Sequence, residues 1–456
     1  KINFINKQMS LNIVIIGAGE VGYNLARSLS KNEYEITVVD IDPVKCIRVK
    51  ENIDALVIEG DGGSQRVLQN IDMSKVDYLL AMTRVDEVNL VASRMARKMG
   101  AAHIICRLRN TEYQHIDAII TPKQFGIDFV TYPEKAAKEE IEMLVRQSSS
   151  SEIQKFKNGQ FTLIGIKLET SSPLIGRTVQ SVELANPFVH HKLVVINRKD
   201  KTFIPHNNTR YKKDDIAYFF TKSTDINKVQ QIAGKPAIDI NNIMILGAGK
   251  IGRLLAKSLE PDYNVRLIEK NKDKAERVGI NYPGILLLNG SGIDIEFLES
   301  ENISEVDCFI AVTENEQTNI LSTMLARDLG AKQTIVHIVT TNYLPAVRRI
   351  GVDAIVSKNI SAVNEVVKYI HSDKSLSISH FEDIDVEVLE LSVSEESKVS
   401  RKKYTIDQLP EDIRVGGIIR GGKAIILDQI GHIMPSDDII VFVKEESIVK
   451  AKNLFQ

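Results

Sequence analysis

The chain has 456 residues, 43% of them hydrophobic and 26% charged, with a formal net charge of −2. That balance belongs to a globular protein and excludes nucleic acid as the partner expected from overall charge. Three widely spaced cysteines, Cys46, Cys106 and Cys308, exclude a disulfide framework and a zinc site, and they read as buried apolar residues in a reducing cytoplasm. No apolar run reaches the roughly 18 to 20 residues that cross a bilayer, and no secretory pattern is present. Residues 1–8, ahead of Met9, read as an extension outside the fold, and the length allows two to four domains.

The β-branched run 11–16 ends at Gly17, as a buried parallel strand does where it meets a turn. Gly17-Ala18-Gly19-Glu20-Val21-Gly22 follows. Gly17 permits the tight turn, Gly19 lets backbone approach a pyrophosphate, and Gly22 lets the helix pack closely on the strand. The helix starting near Glu20 offers its N–H groups to phosphate. A second strand, 36–39, ends at Asp40, 18 residues beyond Gly22, where a carboxylate can accept from a ribose diol. Ile41-Asp42-Pro43 follows instead of an arginine, which favours NAD or an adenosine over NADP, whose 2′-phosphate Asp40 would repel.

Strands 55–58, 78–82 and 104–106 run into Asp61, into Thr83 and Arg84, and into Arg107. Ligands of open α/β sheets sit beyond the carboxyl ends of the strands, so all four residues line one crevice. Arg107 there either neutralises a phosphate or is an ordinary surface arginine. The helical pattern 88–99 completes a doubly wound βαβ array. The serine run 148–151 reads as a linker. Residues 161–228 read as short strands, 162–168, 193–197 and 217–221, separated by turn residues.

After a second linker at 233–241 the first order returns, displaced by 230 positions. Strand 243–246 leads to Gly247-Ala248-Gly249-Lys250-Ile251-Gly252, strand 265–268 ends at Glu269, 286–288 precedes Ser291, and 309–312 precedes Thr313. A lone glycine turn is weak; a copy that keeps its strand, helix and acidic residue is not chance. Asp77 and Asp307, Thr83 and Thr313, and Asn89 and Asn319 also match, whereas Arg107 becomes His337, Asp61 becomes Ser291 and Lys270 follows Glu269. The two pockets are therefore expected to differ in ligand or affinity.

Strands 386–391, 417–420, 424–427 and 439–443 repeat the short-strand pattern, and each short-strand segment has an arginine before a tight turn: Arg198-Lys199-Asp200-Lys201 and Arg420-Gly421-Gly422-Lys423. The expected fold is α/β, with two Rossmann-like doubly wound parallel-sheet domains at 9–150 and 241–372. They alternate with two small α+β C-terminal subdomains at 151–232 and 380–456, and helices near 136–146 and 361–370 join each large domain to its small partner.

The glycine turns with Asp40 and Glu269, the Val76-Asp77 strand leading to Thr83, Asp86-Glu87-Val88-Asn89, Arg107, and the closing Arg414-Val415-Gly416-Gly417-Ile418-Ile419-Arg420 stand in that four-domain order. Over 10–456 the chain thereby resembles the TrkA family, the cytosolic regulatory subunits of bacterial Trk potassium-uptake systems. The resemblance implies tandem regulator-of-potassium-conductance domains that bind NAD or NADH, with ATP or ADP as further ligands. It implies a homo-oligomer, a tetrameric ring of paired large domains, and a membrane-embedded Trk-type potassium translocation subunit as partner. The protein would be cytoplasmic, held at the inner face of the membrane through that partner, and would act by a ligand-driven shift of ring geometry rather than by catalysis.

Two other readings stand beside it: a nicotinamide-dependent dehydrogenase of two fused halves, and a regulator of another cation transporter. A dehydrogenase needs a proton-transfer group near the nicotinamide. His190-His191 and His206 fall among short strands and turns, and adjacent strand residues point to opposite faces, so the pair cannot share a site. The runs Glu139-Glu140 and Glu395-Glu396 read as solvated faces, with no metal expected.

Overall fold

The computed structural model describes residues 11–30, 34–148, 150, 152–199, 201–340, 343–372, 377–381, 384–402, 405–426 and 432–456. The extension at 1–8, with Ser149, Ser151, Asp200 and Leu427 of the expected linker, turn and strand, lies outside them.

Strands β1 (Asn12–Ile16), β2 (Glu35–Asp40), β3 (Leu56–Glu59), β4 (Tyr78–Ala81), β5 (His103–Arg107) and β6 (Phe129–Thr131) form a parallel sheet in the order β3-β2-β1-β4-β5-β6. Their cores are continuous apolar runs because helices cover both faces; Ile13, Val14 and Ile15 are fully buried. The crossovers are α1 (Glu20–Leu29), α2 (Pro43–Asn52), α3 (Gln65–Leu68) and α4 (Asp86–Met99), and α5 (Pro133–Arg146) follows β6. Local chemistry sets their ends. Asp42 caps α2 by accepting from Val44 N at 2.9 Å, with Pro43 at the first helical position, and Gly100 stops α4 at φ +110°. Strand order reverses between β1 and β4, the switch point at which such sheets hold ligands.

The next sheet is antiparallel: β7 (Glu152–Phe156), β8 (Phe161–Lys167), β9 (His191–Arg198), β10 (Lys201–Phe203) and β11 (Ile216–Lys222) in the order β10-β9-β11-β8-β7, with α6 (Val179–Ala185) and α7 (Ile226–Ile232). A second parallel sheet follows, β12 (Asn242–Leu246), β13 (Asn264–Glu269), β14 (Leu286–Asn289), β15 (Cys308–Ala311), β16 (Gln333–Ile338) and β17 (Ala354–Ser357), ordered β14-β13-β12-β15-β16-β17 like the first. Its helices are α8 (Lys250–Leu259), α9 (Lys272–Asn281), α10 (Ile295–Ser300), α11 (Glu316–Asp328), α12 (Leu344–Ile350) and α13 (Lys358–Ser372). The last sheet is antiparallel again: β18 (Ser377–Phe381), β19 (Ile384–Ser392), β20 (Ile413–Arg420), β21 (Lys423–Ile425) and β22 (Asp438–Val443), ordered β18-β19-β22-β20-β21.

The repeated arginine has one structural role in both small subdomains. Arg198 donates from Nε and Nη2 to the buried Asp215 at 2.6 and 2.7 Å, and Arg420 grips Asp437 in the same way at 2.8 Å each. Each pair ties a hairpin to the chain entering the next long strand, β11 or β22. The two small sheets share an apolar cluster in which Phe220 meets Phe442 edge-on, ring centroids 5.5 Å apart.

Two compact units emerge, and they do not follow chain order: residues 1–136 with 359–369, and residues 137–358 with 370–456. In the second unit Ala137, Ile141, Leu144 and Val145 of α5 join the core with Ile243, Ile335 and Val356 of the second parallel sheet, and Glu142 accepts from Ser258 Oγ at 2.7 Å. Within the first unit Glu365 of α13 accepts from Thr131 Oγ1 at 2.6 Å and Tyr369 stacks on Phe129 at 4.4 Å. Each parallel sheet is thus covered by a helix that follows the other sheet's last strand. The linkers are laced together as well: Ser148 Oγ donates to Ile238 O and accepts from Ile238 N, both at 2.7 Å. All three cysteines are free and buried, and among the described residues no helix is long and apolar enough to cross a membrane.

Candidate functional site

The glycine turn connects β1 to α1 at the switch point. Gly17 has φ +100° and donates to Val39 O at 2.7 Å, a backbone state that favours glycine. A Cβ on Gly22 would lie 1.8 Å from Gly17 O. Gly19 is different. Its φ of −68° suits any residue, and a Cβ there would meet nothing within 4 Å. Neither the backbone nor a protein neighbour demands glycine at this position, and its missing side chain leaves open space beside the start of α1. No side chain caps α1 at Gly19, which leaves the positive end of the helix to an outside anion.

The copy repeats this closely: Gly247 has φ +107° and donates to Ile268 O at 2.8 Å, a Cβ on Gly252 would lie 1.9 Å from Gly247 O, and Gly249 has nothing within 4 Å. Both turns fit a pyrophosphate.

Asp40, 9% exposed at the end of β2, accepts from Ala18 N at 2.5 Å through one oxygen and from Asp42 N at 2.8 Å through the other. Each oxygen has a further lone pair for a diol. Lys45 Nζ stands 4.0 Å off. Glu269 takes the same place in the copy with longer reach, accepting from Ala248 N at 3.3 Å and Asn271 N at 3.0 Å, but Lys274 Nζ lies only 2.6 Å away. Burial pushes the Glu269 pKa up, while the Asn271 N–H and Lys274 outweigh it and hold the carboxyl below its usual range.

Asn89, fully buried on α4, holds the ends of two strands. Its Oδ1 accepts from Thr83 N at 2.9 Å and Thr83 Oγ1 at 2.7 Å; its Nδ2 donates to Thr83 O at 3.1 Å and Arg107 O at 2.8 Å. Asn319 repeats this with Thr313 and His337 O. The asparagine pair was visible in the sequence as a match 230 apart, but its work as a clamp was not. Arg107 is 7% exposed, and among the described residues its Nε has no hydrogen-bond partner. Burial lowers its pKa, and Glu134 opposes that shift. His337, 2% exposed, stands at the matching place in the copy.

Asp61 and Arg84 are exposed at the same carboxyl edge; Asp61 accepts from Gly63 N at 2.8 Å. Ser291, partly exposed, accepts from Asp294 N through its carbonyl at 3.1 Å. Glu20 is engaged by Arg48 Nη1 at 3.0 Å, and the Arg48 guanidinium lies 3.8 Å from the Tyr23 ring centroid. Arg48 was missed because it sits on α2 without a motif; its counterpart on α9 is Arg277, whose Nε donates to Asp273 O at 3.2 Å, and Lys250 replaces Glu20.

The adjacent histidines have local partners. His190 Nδ1 is 2.8 Å from Asp225 Oδ2, and His191 Nδ1 is 2.8 Å from Val189 O, both in the first small subdomain. Among the described residues no group of three or more His, Cys, Asp or Glu could hold a metal ion. Helix-start N–H groups, a diol-accepting carboxylate and, in the first site, a buried guanidinium are chemistry for gripping a nucleotide.

The family model for the TrkA-N domain matches residues 13–133 and again 243–358. Trk system potassium uptake protein TrkA homolog 1 of Methanosarcina mazei is 29% identical over 98% of this chain and 100% of its own length. A second protein of Methanosarcina mazei, Trk system potassium uptake protein trkA homolog 1, is 31% identical over 88% of this chain and 99% of its own length. Among solved structures, the GsuK channel bound to NAD aligns with a TM-score of 0.58 at 14% identity, covering 98% of this chain and 79% of that one.

Proposed function

The chain belongs to the TrkA family, and from that premise we propose that it is a nucleotide-sensing regulatory subunit of a potassium-uptake system. The observation that carries this reading is the duplicated turn, clear above Gly19 and Gly249 and faced by Asp40 and Glu269. NAD or NADH, or ATP or ADP, would bring phosphates to the helix starts and a ribose diol to the carboxylates. Gly17 to Gly22 and Gly247 to Gly252 hold the phosphates; Arg107 adds charge in the first site. Because Lys274 closes on Glu269 while Lys45 stays off Asp40, the two sites would bind with different affinity.

Binding regulates only if it distinguishes two shapes of the assembly; equal affinity for both would shift nothing. In this reading the protein is a cytoplasmic homo-oligomeric ring, acts without catalysis, and docks on a membrane-embedded potassium translocation subunit. The test is calorimetric titration of the full chain with NADH, NAD, ATP and ADP, in wild type, Asp40→Asn and Glu269→Gln, with nicotinamide absorbance followed. Two binding events altered separately by the two variants support the reading. Sustained NADH consumption with a carbonyl substrate would replace it with a dehydrogenase.

A further inference from the structure

Arg414 opens the closing sequence motif, and the nucleotide sites make no use of it. It is the second residue of β20, as Lys192 is the second of β9, so two cations hold equivalent places in the two small subdomains. Both are largely buried, with side chains 12% and 4% exposed, and both reach one carboxylate: Glu183 of α6 lies 3.3 Å from Arg414 Nη2 and 3.0 Å from Lys192 Nζ. Arg414 Nη1 donates to Pro205 O at 3.2 Å, and Arg414 Nε is buried with no partner among the described residues. A guanidinium out of water that shares its carboxylate and leaves a donor unused is poorly compensated. Burial accordingly lowers its pKa, with Glu183 opposing.

Arg414 and Lys192 border a cavity of about 250 Å³, whose other walls include Pro205, His206, Leu409 and Pro410. We propose that this cavity is a binding site for a small organic anion. Its phosphate or carboxylate head accepts from Arg414, and a compact apolar body rests against Pro205, Leu409 and Pro410. Size limits the guest: pockets for drug-sized ligands start at roughly 300 Å³, so a dinucleotide does not fit. The walls come from both small subdomains, and at the mouth His206 Nε2 stands 3.9 Å from the Glu411 carboxylate, so the anion would bridge the two.

The test is calorimetry on the full chain in phosphate-free buffer with phenyl phosphate, benzoate and inorganic phosphate. At least one of phenyl phosphate and benzoate should bind saturably at one equivalent per chain; which does so identifies the head group. Inorganic phosphate, lacking the body, should bind at least tenfold more weakly. Arg414→Gln should weaken binding tenfold or more and leave NADH binding unchanged. His206→Glu, at an exposed position, should also weaken it by placing a carboxylate at the mouth, and it tests the site even if the Arg414 variant does not fold. The proposal is overturned if neither organic anion binds, if both variants bind like wild type, or if binding is lost only in Gly19→Val with Gly249→Val.

Discussion

The sharpest test of the nucleotide sites sets Gly19→Ala against Gly22→Ala. At Gly19 the backbone is extended and an added Cβ meets nothing within 4 Å, so alanine should fold without strain. Reduced freedom of the unfolded chain should even stabilise the variant by about 0.4–1 kcal/mol. Its methyl group, however, enters the space a pyrophosphate would use. Losing one or two charge-assisted backbone bonds at about 1.5 kcal/mol or more each weakens binding roughly 10- to 100-fold.

At Gly22 the new Cβ would lie 1.8 Å from Gly17 O, against an ordinary separation near 3.5 Å. The gain of about 0.5–1 kcal/mol from alanine in a helix cannot offset an overlap this severe, which forces the turn apart at the upper end of the usual overpacking cost of about 1–3 kcal/mol. Urea denaturation and NADH calorimetry on both variants separate the effects: Gly19→Ala should lose binding and keep stability, Gly22→Ala should lose both. Normal NADH affinity at the first site in Gly19→Ala would refute the cradle, and a Gly22→Ala variant as stable as wild type would refute the geometry of the turn.

Asn89→Asp keeps the acceptor for Thr83 but removes the donors to Thr83 O and Arg107 O while burying a charge; a loss of about 3 kcal/mol is expected, and a midpoint unchanged in urea would contradict the clamp. Arg198→Ala leaves the fully buried Asp215 carboxylate without its partner and should cost about 3–5 kcal/mol; a loss under about 1 kcal/mol would show the pair to be dispensable. For Asp307, burial raises the pKa but Lys332 and the Asn241 and Asn242 N–H groups overcome that and hold it below the ordinary value. Its contribution should therefore be complete above the unfolded pKa of about 3.9 and fade as pH falls through the lower folded value; Asp307→Asn should flatten the acid limb of stability, measured by urea unfolding between pH 7 and 3.

Features with a local signature were legible before any coordinates. The glycine turns, the acid at the end of the second strand and the apolar strand cores each occupy a few adjacent residues, and the copy 230 positions on reinforced them. The structure sets Asp40, Thr83, Arg84, Arg107 and Asp61 at the carboxyl edge of one sheet, as that pattern implied. Three-residue β6 and β10 and the polar edge strand β7 escaped because they lack a long enough run or apolar alternation to stand out. The arginine before each small-subdomain turn was visible, but its aspartate, 17 residues on, was not. Harder still was the assignment of α5 and α13. An amphipathic helix shows in sequence that it must be covered, not by which sheet, and Glu365 bonds a threonine 234 positions earlier.

That last feature bears on how the protein is made. The first compact unit needs residues 359–369 as well as 1–136, so its opening segment leaves the ribosome roughly 220 residues before its final helix exists. At about 5–20 residues per second the nascent sheet waits on the order of 11 to 45 s with the part of one face around Phe129 and Thr131 uncovered. During that interval it is a natural client for a chaperone, and a messenger cut short before residue 359 would encode a first half that cannot complete its own core.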